Sequence, residues 1–219
     1  MIQGMIFDFD GTLVDSMFIW DTAGETYLAS IGRKTSEDLQ SVLKPMSLCQ
    51  SAAYLREKYQ IDLSVEQIID GINRTVEEFY FYSVKPKPGV CEFLEALFRR
   101  DIRMCIATAT ERYQVEAALK RCGIEQYFSE IFTCTEAGSG KDQPMIFRKA
   151  MEHLGTDRRN TLVVEDAWHA IRTAKNDGFL VAAIYDSYEE LQSSVREAAD
   201  IYLMDYLDLN HFWKFALDE

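Results

Sequence analysis

The sequence predicts an α/β protein in which a mostly parallel sheet is interrupted by an inserted all-α segment. Three observations support this fold class. An apolar strand opens the chain at residues 2–9, a purely helical stretch follows it, and strands then alternate with helices from residue 90 onward. Such alternation is typical of parallel sheets with right-handed crossovers. The predicted core comprises residues 1–14 and 85–219, and the helical insertion comprises residues 15–84.

Length and composition agree with one α/β domain that carries an insertion. The 219 residues are 47% hydrophobic, which is enough for a full core. The formal net charge of −13 argues against a nucleic-acid partner, because such binding depends on Lys and Arg that neutralise phosphates. The sequence has no apolar run long enough to span a bilayer, and its first strand leaves no room for a cleavable signal. We therefore expect a cytoplasmic protein without a membrane partner.

The inserted stretch divides into helical segments that begin or end at recognisable residues. The first segment ends at Gly32, the second stops before Pro45, and the third begins with Ser47 as its N-cap. The fourth opens with Ser64 and Gln67, which together fit a capping box. The predicted helices are Met17–Ile31, Ser36–Leu43, Ser47–Tyr59 and Ser64–Tyr82.

After a stiff linker with two prolines at residues 85–89, apolar strands and helices alternate to the end of the chain. Three of the helices end at a glycine, a residue that suits the left-handed conformation after a helix. The predicted strands are Ile102–Thr108, Ile131–Cys134, Thr161–Glu165, Leu180–Ile184 and an edge strand, Ile201–Leu203. The predicted helices are Val90–Arg99, Glu111–Cys122, Met145–Leu154, Ala167–Asn176, Tyr188–Arg196 and Leu207–Leu217.

The core strands are followed by polar residues that can carry chemistry. These residues are Asp8, Asp10, Thr108, Lys141, Glu165 and Asp166. Because parallel strands align their carboxyl ends, we expect these side chains to converge at one edge of the sheet. Four carboxylates at one site need positive charge beside them, and oxygen ligands favour Mg²⁺. The remaining negative charge would favour a protonated Asp10, which a general acid requires.

In this order the residues resemble the four motifs of the haloacid dehalogenase superfamily. The motifs are Asp8-Phe9-Asp10-Gly11-Thr12, Thr108, Lys141 and Glu165-Asp166. The resemblance covers essentially the whole chain, because the insertion is similar to the α-helical cap of that family. It implies a Rossmann-like, three-layer core with a mobile cap. The similarity is to the branch of helical-cap phosphatases and β-phosphoglucomutases.

The resemblance also implies catalytic and metal-binding roles. Asp8 would attack phosphorus and form an aspartyl-phosphate, which is covalent catalysis by a carboxylate. Asp10 would protonate the departing oxygen and later deprotonate the water that hydrolyses the intermediate. Mg²⁺ would be bound by Asp8, by the backbone carbonyl of Asp10 and by Asp166.

The remaining motif residues are expected to bind phosphate or to support the catalytic groups. Thr108 and the backbone N–H of Ala109 would hold the phosphoryl oxygens, and Lys141 would bridge phosphate and carboxylates. Such positioning and charge neutralisation provide most of phosphoryl-transfer catalysis. Glu165 would hold a metal-bound water, and Thr12 would orient Asp10 or its loop.

The sequence departs from the family pattern at two places. The lysine motif usually continues with a proline directly after the lysine, whereas Lys141 is followed by Asp142-Gln143-Pro144. After the acidic pair the family commonly has Ser and, three residues further, Gly, where this chain has Ala167 and Ala170. These two departures affect the fine geometry around the substrate, whereas the catalytic residues of all four motifs are present.

The aspartate at position 10 favours a phosphatase or a phosphomutase over the dehalogenase and phosphonate-cleaving branches. No arginine directly precedes Ser47 or Ser51, where the mutase branch would place one. We therefore expect a phosphatase for a small phosphorylated metabolite, such as a sugar phosphate, a phosphoglycolate-like compound or a nucleotide, acting as a monomer or weak dimer. The alternatives are a β-phosphoglucomutase-like mutase and a non-catalytic phospho-acceptor or binding module, against which the cap argues.

Overall fold

The computed structural model describes residues 1–35, 38–43, 46 and 48–217. The chain divides into two compact units, one made of Met1–Asp15 and Val84–Glu219 and the other of Ser16–Ser83. The strands are β1 Gly4–Phe7, β2 Val14–Asp15, β3 Lys85–Pro86, β4 Arg103–Thr108, β5 Ile131–Thr133, β6 Thr161–Glu165, β7 Leu180–Ile184 and β8 Ile201–Leu203. The helices are α1 Met17–Ser30, α2 Leu39–Leu43, α3 Leu48–Lys58, α4 Val65–Tyr82, α5 Val90–Phe98, α6 Arg112–Cys122, α7 Cys134–Ala137, α8 Met145–Leu154, α9 Trp168–Asn176, α10 Gln192–Ala198 and α11 Leu209–Ala216.

The first unit is built on a six-stranded parallel sheet in the order β5-β4-β1-β6-β7-β8. This topology confirms the predicted α/β fold. Strand β1 lies between β4 and β6, so that Phe7 is paired with Ile106 on one side and Val164 on the other. The next residue, Asp8, still donates its backbone N–H to the carbonyl of Val164 at 2.9 Å. The register therefore places Asp8 at the carboxyl ends of the central strands.

Helices cover both faces of this sheet, as expected for strands that are apolar throughout. On one face, side chains of β1, β4, β6 and β7 pack against α8, α9 and α10 in a single buried cluster. On the other face, the ring of Phe7 contacts that of Phe93 in α5, with centroids 6.4 Å apart. Phe93 in turn packs on Phe212 of α11 at 4.7 Å. The first unit thus has the three layers of an α/β core.

The second unit contains helices α1 to α4, and the structure assigns no strand to its described residues. The predicted capping box is confirmed: Ser64 Oγ accepts from the N–H of Gln67 at 3.2 Å, and Gln67 Oε1 accepts from the N–H of Ser64 at 2.9 Å. Helices α1 and α4 pack closely at Gly71, where an added Cβ would lie 2.3 Å from the Tyr27 ring. The predicted helix starts at Ser36 and Ser47 lie outside the described residues.

Several predicted boundaries differ from the structure. The first strand spans four residues instead of 2–9, and the sequence did not predict α7 or the short antiparallel pair of β2 and β3. The helix predicted to begin at Tyr188 begins at Gln192. The carboxylates of Asp186 and Glu189 accept from backbone N–H groups of this segment, which holds it as a loop.

Within the described ranges, no helix combines the length and the apolar character needed to cross a membrane.

Candidate active site

Asp8 lies at the end of β1, one of the two central strands, and is almost completely buried. The four residues of β1 are buried, so the carboxylate that follows them is carried into the interior. Its Oδ1 accepts a hydrogen bond from Lys141 Nζ. Burial raises the pKa of Asp8 to about 6, because the charged form loses its hydration; the Lys141 charge opposes this shift and that of Glu165 adds to it.

Lys141 joins two of the predicted carboxylates. Its ammonium group donates to Asp8 and, at 2.6 Å, to Glu165 Oε1, and its side chain is only 6% exposed. Burial alone would lower the pKa of this lysine. The adjacent charges of Asp8 and Glu165 and their hydrogen bonds outweigh burial and raise the pKa above its ordinary value. Lys141 is therefore a charged group held between two carboxylates, as the alignment of strand ends predicted.

Asp166 completes a cluster of acidic oxygens at the end of β6. One oxygen each from Asp8, Glu165 and Asp166 lies within 4.8 Å of the other two, and all three residues are buried. Burial, followed by the charges of Glu165 and Asp8, raises the pKa of Asp166 well above its ordinary value. Several buried carboxylates at this spacing are stable as anions when a cation shares the space. Hard oxygen donors of this kind fit Mg²⁺.

The two oxygens of Glu165 are already used as hydrogen-bond acceptors. Oε1 accepts from Lys141, and Oε2 accepts from the backbone N–H groups of Asp166 at 3.0 Å and Ala167 at 3.1 Å. Glu165 therefore holds both the lysine and the turn that carries Asp166. This arrangement suits a supporting residue beside the metal position better than a direct ligand.

The loop after β4 brings hydroxyl groups to Asp10. Thr108 is buried, and its Oγ1 accepts from the N–H of Thr110 at 3.0 Å, while Ala109 between them is exposed. The Thr110 hydroxyl donates to Asp10 Oδ2 at 2.5 Å. The hydroxyl of Thr108 bonds within its own loop, and helix α6 begins after Glu111 without a side-chain cap. No role for Thr110 was predicted from the sequence, although it is a second hydroxyl two residues after Thr108.

Thr12 was expected to orient Asp10 or its loop, and the structure shows which acceptor its hydroxyl uses. Its hydroxyl donates to Asp166 Oδ1 at 2.9 Å rather than to Asp10. The backbone carbonyl of Thr12 in turn accepts from the buried Tyr206 hydroxyl at 3.1 Å. Thr12 therefore links the loop after β1 to the acidic end of β6, because the turn at Gly11, with φ of +73°, directs the next side chain that way.

An ion pair that involves a buried aspartate near the site was not predicted from the sequence. Lys87 Nζ lies 2.7 Å from Asp186 Oδ2, and Asp186 is 4% exposed. The Asp186 charge is also one of the causes that raise the pKa of Asp166. The sequence does contain a pattern that could have indicated Asp186. Like Asp8 and Asp166, it is a carboxylate just after a core strand, since it follows β7 by two residues.

Comparison with known proteins agrees with this geometry. Residues 5–184 match the family described as haloacid dehalogenase-like hydrolase. The chain belongs to this family. A phosphorylated carbohydrates phosphatase from Thermotoga maritima is 26% identical over 177 residues, covering 81% of this chain and 82% of that protein. Pyrophosphatase PpaX from Halalkalibacterium halodurans is 26% identical over 189 residues, covering 84% and 83%.

Solved structures support the same fold. The crystal structure of CbbY from Rhodobacter sphaeroides in complex with phosphate superposes with a TM-score of 0.82. The two chains are 21% identical, and the match covers 95% of this chain and 96% of the other. At that identity the likeness establishes the fold. The family membership identifies this hydrolase as an enzyme and confirms the resemblance stated from its motifs.

Proposed function

We propose that this hydrolase is a Mg²⁺-dependent phosphatase that cleaves a small phosphomonoester through an aspartyl-phosphate on Asp8. The observation that supports this most strongly is the Asp8 carboxylate, which is bonded to Lys141 and lies within the same acidic cluster as Asp166. A nucleophilic carboxylate needs a positive group that also attracts the phosphoryl oxygens, and Lys141 is placed to serve both. The relatives named as phosphatases support the same reaction class.

In the first step an oxygen of Asp8 attacks phosphorus, and the bond from phosphorus to the leaving oxygen breaks. Asp10 gives its proton to that oxygen, so that the product leaves as a neutral alcohol. In the second step Asp10 takes a proton from the water that attacks the phosphorus of the aspartyl-phosphate, and Asp8 is released as a carboxylate. The Thr110 hydroxyl holds Asp10 in one orientation for both transfers.

Asp8 and Asp166 offer carboxylate oxygens for Mg²⁺, and the backbone carbonyl of Asp10 would complete the protein ligands. When bound, the cation neutralises the carboxylates and the phosphoryl oxygens. Thr12 orients Asp166 through its hydroxyl, and Glu165 orients the same residue through its backbone N–H.

Phosphoryl oxygens would be held by the Thr108 hydroxyl, the Ala109 N–H and Lys141. Thr108 accepts from the N–H of Thr110, which leaves its own hydroxyl proton for a phosphoryl oxygen. Hydrogen-bond donors fixed before the reaction in this way stabilise the charge that develops in the transition state.

We further propose that the helical segment at residues 15–84 acts as the cap that selects the substrate, and that a sugar phosphate is the preferred class. The carbohydrate phosphatase from Thermotoga maritima supports that class. A mutase is not favoured, since the two sequence relatives described above are named as a phosphatase and a pyrophosphatase. A non-catalytic binding module is not favoured either, because the family consists of hydrolases.

The test is turnover of p-nitrophenyl phosphate and of a panel of phosphorylated carbohydrates, with Mg²⁺ and with EDTA. We expect phosphate release that requires Mg²⁺ and falls by about 10⁴-fold or more in Asp8→Asn, because the nucleophile is lost. The exposed Asp142→Asn is the matched control and should stay within about twofold of the wild type. Turnover in EDTA, or turnover retained in Asp8→Asn, would exclude the mechanism.

A further inference from the structure

The loop after β7, residues 185–191, sends a carboxylate to the helix that follows Asp166. Glu189 Oε2 accepts from the backbone N–H of Trp168, the first residue of α9, at 2.8 Å. We propose that Glu189 is a positioning residue for Asp166, acting as the helix cap that position 167 does not provide. This inference rests on the proposed function, because it assigns Asp166 to the metal.

Three successive backbone N–H groups around Asp166 are held by carboxylates. Those of Asp166 and Ala167 donate to Glu165 Oε2, and that of Trp168 donates to Glu189. The side chain of Asp166 is held separately by Thr12. Three side chains hold this segment, and of these Thr12 and Glu165 belong to the sequence motifs, whereas Glu189 does not.

The residue at the cap position explains why an external carboxylate is needed. Ala167 is the N-cap of α9, and its methyl group makes no side-chain cap. A serine at this position could accept a hydrogen bond from the first turn with its hydroxyl. With alanine, the first N–H groups of α9 must find acceptors elsewhere, and Glu189 supplies one with a full negative charge.

Glu189 is itself fixed by its surroundings. Its second oxygen accepts from the N–H of Leu191 at 2.7 Å, so both carboxylate oxygens are used. The start of the loop is held by the ion pair of Lys87 and the buried Asp186. Gln192 Nε2 donates to the backbone carbonyl of Asp186 at 2.7 Å and to that of Glu189 at 3.2 Å. A carboxylate anchored in this way can hold the helix start in one position.

The consequence concerns metal binding more than folding. A partner that orients a metal ligand typically contributes 10–100-fold to metal affinity. Without the Glu189 carboxylate, the first turn of α9 loses its acceptor, and the backbone that carries Asp166 gains freedom. We expect weaker cation binding, with the turnover rate at saturating Mg²⁺ reduced much less.

The experiment measures Mn²⁺ binding by electron paramagnetic resonance and the Mg²⁺ dependence of phosphate release, in the full chain. Glu189→Ala should weaken Mn²⁺ binding by about tenfold and raise the half-saturating Mg²⁺ concentration to the same extent. Glu189→Gln keeps one oxygen that can accept from the Trp168 N–H but cannot accept at both positions, so it should lose clearly less affinity than Glu189→Ala. Ala167→Ser, added to Glu189→Ala, should restore part of the affinity, because the hydroxyl can accept from the second or third N–H of the first turn, although not from that of Trp168.

The matched control removes a helix cap elsewhere in the same unit. Asp208 caps α11 by accepting from the N–H of His211 at 3.0 Å. Asp208→Ala should lower the melting temperature as Glu189→Ala does, but it should leave Mn²⁺ binding unchanged. The rescued double variant tests the proposal even if Glu189→Ala folds poorly.

The outcomes separate this inference from the proposed function. If the wild type neither binds Mn²⁺ nor releases phosphate, the proposed function is wrong. If the wild type binds Mn²⁺ and Glu189→Ala binds it equally well, only the role of Glu189 is wrong. Equal losses in Glu189→Ala and Glu189→Gln would mean that an acceptor for the Trp168 N–H is not what Glu189 contributes, and this result would also overturn the proposal.

Discussion

Asp8 and Asp10 are two residues apart in the chain, yet they lie in different environments. Asp8 is buried, is bonded to a buried ammonium group and shares its space with two other carboxylates. Asp10 is half-buried and is bonded to the neutral hydroxyl of Thr110. The difference indicates how one loop can supply two chemical roles. Lys141 favours the ionised form of Asp8 that a nucleophile needs, and the Thr110 hydroxyl holds Asp10, the group proposed to gain and lose a proton.

The largest effect should come from removing the charge beside Asp8. In Lys141→Met, two buried carboxylates lose their cation, so we expect a loss of about 3–5 kcal/mol in the free energy of unfolding. Turnover should fall by at least about 10²-fold, because the group proposed to hold the phosphoryl oxygens is lost as well. Urea denaturation and steady-state kinetics measure the two effects.

A matched control for this variant is Lys175→Met. Lys175 pairs with Asp200 at 2.7 Å, but both side chains are partly exposed, so its loss should cost at most about 1 kcal/mol and leave turnover unchanged. If the two variants were destabilised to a similar extent, burial would not determine how much the ion pairs of Lys141 contribute to the free energy of unfolding.

A smaller effect is expected at Asp10. In Thr110→Val the hydroxyl is replaced by a methyl group of similar size, and we expect turnover to fall by about tenfold, because Asp10 loses a hydrogen bond that orients it. Thr110→Ser keeps the hydroxyl and should retain most activity. The loss should be smaller for substrates with good leaving groups, which need less protonation. A uniform loss across leaving groups would contradict a role through Asp10.

The pH dependence of stability should distinguish Asp8 from other carboxylates. Without metal the folded protein keeps a proton on Asp8 up to about pH 6, whereas the unfolded chain releases it near 3.8. Over that interval the folded state binds more protons, so the Asp8 contribution to stability decreases as pH rises. Thermal melts in EDTA between pH 4 and 7 should show a steeper decrease for the wild type than for Asp8→Asn.

Mg²⁺ should oppose the decrease in stability at rising pH, because the carboxylates that bind the metal must be deprotonated. The rise in melting temperature caused by Mg²⁺ should therefore be small at pH 5 and larger at pH 7. An increase of the same size at both pH values would mean that Asp8 does not take part in binding the metal.

The strand ends of the site could be predicted from the sequence, and the loop contacts could not. Asp8, Lys141 and Glu165 meet because parallel strands align their ends, which is a property of the apolar pattern. The contact between Thr110 and Asp10 depends on how two loops turn, and no periodicity encodes that.

Glu189 is a second residue whose contact could not be predicted from the sequence. Its segment resembles a helix in sequence, and the predicted helix began at Tyr188, yet the segment is held as a loop by side-chain acceptors. Local hydrogen bonds of this kind compete with the helix. The absence of a hydroxyl at Ala167 was visible in the sequence, but the residue that compensates for it became visible only in the structure.

The most direct test of the difference between the two aspartates is to trap the phosphorylated enzyme in Asp10→Asn. With p-nitrophenyl phosphate, whose leaving group needs no proton, we expect Asp8 to become phosphorylated while hydrolysis of the intermediate is slowed severely. Mass spectrometry of the quenched protein, with Asp8→Asn/Asp10→Asn as the control, locates the phosphoryl group. Accumulated phosphate on Asp8, absent from the double variant, is the predicted result. Turnover at the wild-type rate, or phosphate on another residue, would contradict the assignment of nucleophile and acid–base group.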